Sequence, residues 1–107
     1  FPDVTFIASH LGGMKWQDAL SALTYVDISY ILPKLYEIYG RDMTERILKA
    51  FGADRLIFGT DFPQVYNTKA EDVYERYCKI LDEMNFSDED MEKIAYKNIC
   101  KILNIEI

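Results

Sequence analysis

Three short, almost uninterrupted apolar runs constrain this chain more than any other feature. They are Val4-Thr5-Phe6-Ile7-Ala8-Ser9, Tyr25-Val26-Asp27-Ile28-Ser29 and Arg55-Leu56-Ile57-Phe58-Gly59-Thr60-Asp61. A strand with one wet face alternates apolar and polar residues. A strand covered on both faces reads as a continuous run, the habit of parallel sheets. The stretches between and after these runs have helical spacing, so the expected order is strand, helix, strand, helix, strand, helix, helix. That is the grammar of βαβ units with right-handed crossovers.

Caps and stripes place the helices. A first helix fits about Met14 to Leu23 and enters the second strand with almost no loop, either a very tight turn or a gap before Thr24. Asp42 with Glu45 reads as a capping box, followed by Met43, Ile47 and Leu48 and a stop at Gly52. Thr68 with Glu71 reads as a second box, with Ala70, Val73, Tyr74, Tyr77, Leu81 and Met84 down one face. Ser87 caps a last helix carrying Met91, Ile94, Ala95, Ile99, Ile102 and Leu103. Pairs such as Glu75 with Lys79 and Glu89 with Lys93 lace the outer faces. These are packing and solvated surface, and no chemistry is assigned to them.

Composition then excludes several functions. The net charge is −6 and the cations are scattered among carboxylates, which argues against nucleic-acid or anionic-membrane partners. No apolar run approaches the roughly 20 residues needed to span a bilayer. Cys78 and Cys100 stand far apart and the chain holds one histidine, so no Cys/His zinc site closes internally. Two free thiols fit a reducing cytoplasm. The start at Phe1, without Met, reads as a cut or processed end.

In parallel α/β folds reactive groups gather where strands end. His10 ends the first strand ahead of Gly12-Gly13, and Asp61 ends the third ahead of Phe62-Pro63. A histidine and a carboxylate on one sheet edge fit a shared divalent metal and its water. Taken singly, each also fits a structural role, a hydrogen-bonded histidine and a turn-capping aspartate. Asp27 and Ser29 read as polar groups hydrogen-bonded at a strand terminus.

Together, FIASHLGG, YVDISY, ADRLIFGTDFP and KNICKIL resemble the C-terminal third of the amidohydrolase-related family of TIM barrels, over nearly the whole chain. The resemblance implies an α/β fold. Residues 1–107 would be a single partial domain, the C-terminal part of a (β/α)8 barrel, with strands six to eight in about three βα units plus terminal helices. It implies that Asp61 binds the metal and takes a proton from its water. His10 would be a second metal ligand, or a group orienting water and substrate. Asn98 would be structural. The cofactor would be a divalent metal, zinc first, with manganese or iron as alternatives.

The implied activity is metal-dependent hydrolysis of a small-molecule amide, ester, lactone or carboxylate through a metal-activated water. The alternatives are non-oxidative decarboxylation within the same family, or a non-catalytic α/β interaction module. The family's other ligands, an HxH pair and a further histidine, belong to strands this sequence does not contain. The isolated chain is therefore expected to be inert and to self-associate as a homo-oligomer.

Overall fold

The computed structural model describes residues 5–22, 24–60 and 69–105. Three strands, β1 (Ile7–Ala8), β2 (Tyr25–Asp27) and β3 (Leu56–Ile57), lie side by side in sequence order, and both neighbouring pairs are parallel. Ile7 stands opposite Tyr25, while Val26 and Asp27 stand opposite Leu56 and Ile57. The ladder continues past the strand ends, because Val26 N–H donates to the Arg55 carbonyl at 2.9 Å and Ile28 N–H to that of Ile57 at 3.0 Å.

The strands are shorter than their apolar runs, and burial is uneven. Val26, Ile28, Leu56 and Ile57 are buried, as runs covered on both faces require. The first run is not covered: Phe6 is 58% and Ile7 42% exposed, whereas β3, the other outer strand, is buried. Leu23, where the sequence leaves either a tight turn or a gap, lies outside the described residues. Residues 9–24 carry the chain from β1 to β2 through a short turn and α1 (Trp16–Ser21). Parallel neighbours need a connection of roughly a dozen residues or more, and this one is near that minimum.

The second helix begins earlier than its expected cap. Helix α2 (Ile31–Phe51) starts straight after β2 and is broken only at Gly40 (φ 80°, ψ 176°). Pro33 is tolerated in the first turn, where its missing N–H has no intrahelical partner to lose. The break at Gly40, not a capping box at Asp42, restarts the helix. The Asp42 carboxylate accepts from Arg41 instead, and Glu45 is held by Arg41 at 2.9 Å and Lys49 at 3.0 Å. Restarting there turns Met43 outward (38% exposed) and Thr44 into the core, with Ile47 and Leu48 buried as expected.

Helix α3 (Ala70–Asp82) buries Tyr77, Ile80 and Leu81, with Met84 just beyond it, whereas Tyr74 is 58% exposed. The Thr68 box lies outside the described residues. Ser87 caps α4 (Asp88–Glu92) as expected, its Oγ accepting from Asp90 N–H at 3.1 Å. The final helix is not regular. A π-helical stretch at Lys93–Lys97 separates α4 from α5 (Asn98–Ile102). A π turn inserts one residue and shifts the phase of the faces. Asn98 therefore turns into the core, Ala95 faces out, and Leu103 is 60% exposed. The same distortion lets the Ile94 carbonyl accept from Phe58 N–H at 2.9 Å, docking the helix against the end of β3. Lys93 reaches Asp54 at 3.0 Å, a partner outside its own helix. No helix among the described residues is long and apolar enough to cross a membrane.

Two side chains fix the starting ends of the strands. Asn98 Nδ2 donates to the carbonyls of Ala53 at 2.6 Å and Leu56 at 2.8 Å, which bears out its structural assignment. Arg55 donates to the carbonyls of Thr24, Ala19 and Leu20 and lies over the Phe51 ring, tying the end of α1 to β2 and β3. Replacing Asn98 with Leu keeps the volume and removes both donors from buried carbonyls. We expect it to lower unfolding free energy by about 1–3 kcal/mol in urea titration. A loss within error of zero would contradict this role.

Candidate active site

At the opposite edge, where the strands end, the chain after β1 makes an unusual turn. His10, Leu11, Gly12 and Gly13 all have positive φ, at 52°, 60°, 82° and 67°. For non-glycine residues that region costs about 1–2 kcal/mol each. Two features offset the cost. Leu11 is fully buried, and His10 N–H donates to Asp27 Oδ1 at 2.9 Å. Gly12 is required on two grounds: its φ, and a Cβ there would meet the Ala19 Cβ at 3.0 Å. Gly12 therefore lets α1 pack directly behind the turn.

Asp27, the last residue of β2, organises this edge. Its Oδ1 accepts from His10 N–H, from Ser29 N–H at 3.2 Å and from Ser29 Oγ at 2.6 Å. Ser9 Oγ lies 3.5 Å from Oδ2. A carboxylate oxygen with three donors is saturated, so Asp27 Oδ1 is a scaffold and not a ligand. The expectation of a hydrogen-bonded strand terminus for Asp27 and Ser29 is what the structure contains.

His10 is held through its ring as well. Nδ1 lies 2.6 Å from the Ser29 carbonyl and 3.1 Å from Ser29 Oγ. A carbonyl only accepts, so in the neutral imidazole Nδ1 carries the proton and Nε2 the lone pair. The ring also meets Tyr30 edge-on at 5.4 Å. Tyr30 itself has positive φ (65°), and Lys34 Nζ sits 4.4 Å from its ring centre.

One helix side chain spans the strand ends. The hydroxyl of Tyr77, which is 2% exposed, accepts from Tyr30 N–H at 2.7 Å and lies 3.4 Å from the Thr60 carbonyl. Thr60 immediately precedes Asp61. Tyr77 thus joins the β2 end, where His10 is anchored, to the β3 end. Its helical spacing marked it only as core, and nothing in a spacing pattern distinguishes a phenol that packs from one that also bridges two loops. Gly59 helps the same approach, since a Cβ there would lie 3.4 Å from the Ser29 Cβ.

Of the sequence-predicted site residues, His10 is placed at the strand ends, and Asp61 lies outside the described residues. Among the described residues no group of three or more His, Cys, Asp or Glu converges on a metal position. His10 nonetheless fits a metal ligand. Ligating histidines almost always donate their second ring N–H to a carbonyl or carboxylate, which fixes the tautomer.

The family model for amidohydrolase matches residues 1–105. No curated protein and no solved structure matches the chain.

The hydrogen bond to Ser29 makes a spectroscopic prediction. Long-range 15N–1H correlation of neutral His10 should show the Nδ1–H tautomer. A dominant Nε2–H form would contradict the anchoring described.

Proposed function

Since the chain belongs to the amidohydrolase family, we propose that it forms the last three βα units of a (β/α)8 barrel in a divalent-metal-dependent hydrolase. The substrate is a small amide, ester, lactone or carboxylate. The observation that carries this reading is His10 Nδ1 at 2.6 Å from the Ser29 carbonyl, which directs the lone pair to Nε2 at the ends of the strands. Free Cys78 and Cys100 support a reducing, cytoplasmic setting.

His10 and Asp61 would hold the metal, zinc being the first candidate for an imidazole and carboxylate pair and manganese or iron the alternatives. Bound there, the ion would supply Lewis acidity and lower the pKa of water far below its bulk value, toward about 7. The rest belongs to the chain. His10 enters with its ring already oriented, so no reorientation opposes binding or catalysis. Asp61 accepts the proton released from the attacking water and returns it to the leaving group. Asp27 and Ser29 hold His10, and Tyr77 fixes the spacing between the two strand ends.

Two ligands do not complete a catalytic zinc site, which takes three protein groups plus water. The remaining ligands come from barrel strands outside these residues. Alone, the chain is inert, binds zinc weakly and pairs with a second copy through the exposed β1 edge around Phe6 and Ile7.

Two measurements test this. In the barrel enzyme that carries this segment, Asp61→Asn should lower turnover by about 10²–10³-fold or more with the fold intact, and His10→Asn should lower metal content along with turnover. Near-normal turnover of Asp61→Asn would sink the assignment, and carbon dioxide release in place of hydrolysis would redirect it to decarboxylation. For the isolated chain, sedimentation should show a concentration-dependent dimer with weak zinc binding. A monomer with one tight zinc site would defeat the partial-barrel reading.

A further inference from the structure

A pocket lies at the other end of the sheet. It has a volume of about 430 Å³ and is lined by Tyr25, Asp54, Arg55, Lys93, Lys97, Asn98 and Lys101. Tyr25 is the first residue of β2 and Arg55 immediately precedes β3, so the pocket opens at the starting ends of the strands. His10 follows the finishing end of β1. In a parallel sheet these are opposite edges, and the pocket is separate from the candidate active site.

Its charge runs against the rest of the molecule. The chain carries a net −6, yet this pocket is lined by four cations and one carboxylate, Asp54. Two of the cations are already neutralised, Lys93 by Asp54 at 3.0 Å and Lys97 by Glu92 at 2.9 Å. The other two are not. Arg55 is fixed by three neutral carbonyls, which satisfy N–H groups without neutralising it, and it has no ion-pair partner among the described residues. Lys101 has no ion-pair partner among the described residues. A guanidinium held rigid by carbonyls loses little further entropy when it meets a ligand. Glu92 and Asp54 are exposed, and ion pairs to exposed carboxylates are worth little, so an oxyanion with several charges competes with them readily.

We infer that this pocket binds a small phosphate-bearing anion, with Arg55 as the fixed contact and Lys97 and Lys101 closing over it. The Tyr25 phenol adds a neutral donor and an aromatic wall. The volume exceeds what one phosphate needs, which leaves room for a second phosphate or a sugar.

The test is calorimetric titration of the 107-residue chain with inorganic pyrophosphate, and separately with a sugar monophosphate, paired with amide chemical-shift mapping. Binding should weaken as salt rises. Amide shifts should centre on Tyr25, Arg55 and residues 93–101. The double variant Lys97→Gln/Lys101→Gln removes two exposed cations without touching the core, and should weaken binding by about tenfold or more. Arg46→Gln, on a different surface, should leave it unchanged. Tighter binding of pyrophosphate points to a diphosphate ligand, and comparable binding of the sugar phosphate to a monoester. No detectable binding, equal affinity in the double variant, or equal loss in Arg46→Gln would overturn the site, because the interaction would then be absent or a general ion atmosphere. None of these readouts involves turnover or His10, so the outcome is independent of the hydrolase proposal.

Discussion

The Asp27 carboxylate is the constraint from which the strand-end geometry follows. One oxygen gathers the backbone N–H of His10, the backbone N–H of Ser29 and the Ser29 hydroxyl. Those hydrogen bonds hold a turn in which His10 and Leu11 adopt backbone conformations that L-residues avoid. Without this partly buried acceptor at the end of β2, the chain after β1 would relax and the imidazole would lose its seat against Ser29. Strain of this kind persists only where the surroundings over-determine it. Here they do, through Leu11 in the core, Gly12 against Ala19 and the ring contact with Tyr30.

The two ends of the sheet divide the work. At the finishing ends, Asp27, Ser29 and Tyr77 position a histidine whose neutral form keeps its lone pair on Nε2. At the starting ends, Asn98 and Arg55 fasten backbone carbonyls from helices and strands into one frame. Conserving geometry at one end and stability at the other is the usual division in barrel-type α/β folds. The charge on Arg55, which has no ion-pair partner among the described residues, then gives the structural end a surface property of its own.

Much of this was legible in the amino-acid order because parallel strands and their turns write strong local signals. Val26, Ile28, Leu56 and Ile57 are buried as their apolar runs suggested, although Phe6 and Ile7 of the first run are exposed, and a histidine before two glycines marked a turn. Ser87 announced its cap because the hydroxyl acts three residues away. What escaped depends on contacts distant in sequence. The early start of α2 was hidden because Gly40 separates two helical pieces with different buried faces. The π turn at Lys93–Lys97 rotated Ala95 outward and Asn98 inward, which a fixed helical period cannot express. Met43, Tyr74 and Leu103 were placed on core stripes and lie exposed. The bridging hydroxyl of Tyr77 joins residues 47 and 17 positions away, beyond any local pattern.

The central claim is that His10 is presented for chemistry through Nε2 while Nδ1 stays committed to Ser29. Titrating zinc into 15N-histidine-labelled chain tests it directly, because the two ring nitrogens report separately. The account predicts that zinc shifts the Nε2 resonance while the Nδ1–H correlation survives. A zinc-induced change at Nδ1, with Nε2 left protonated, would contradict it.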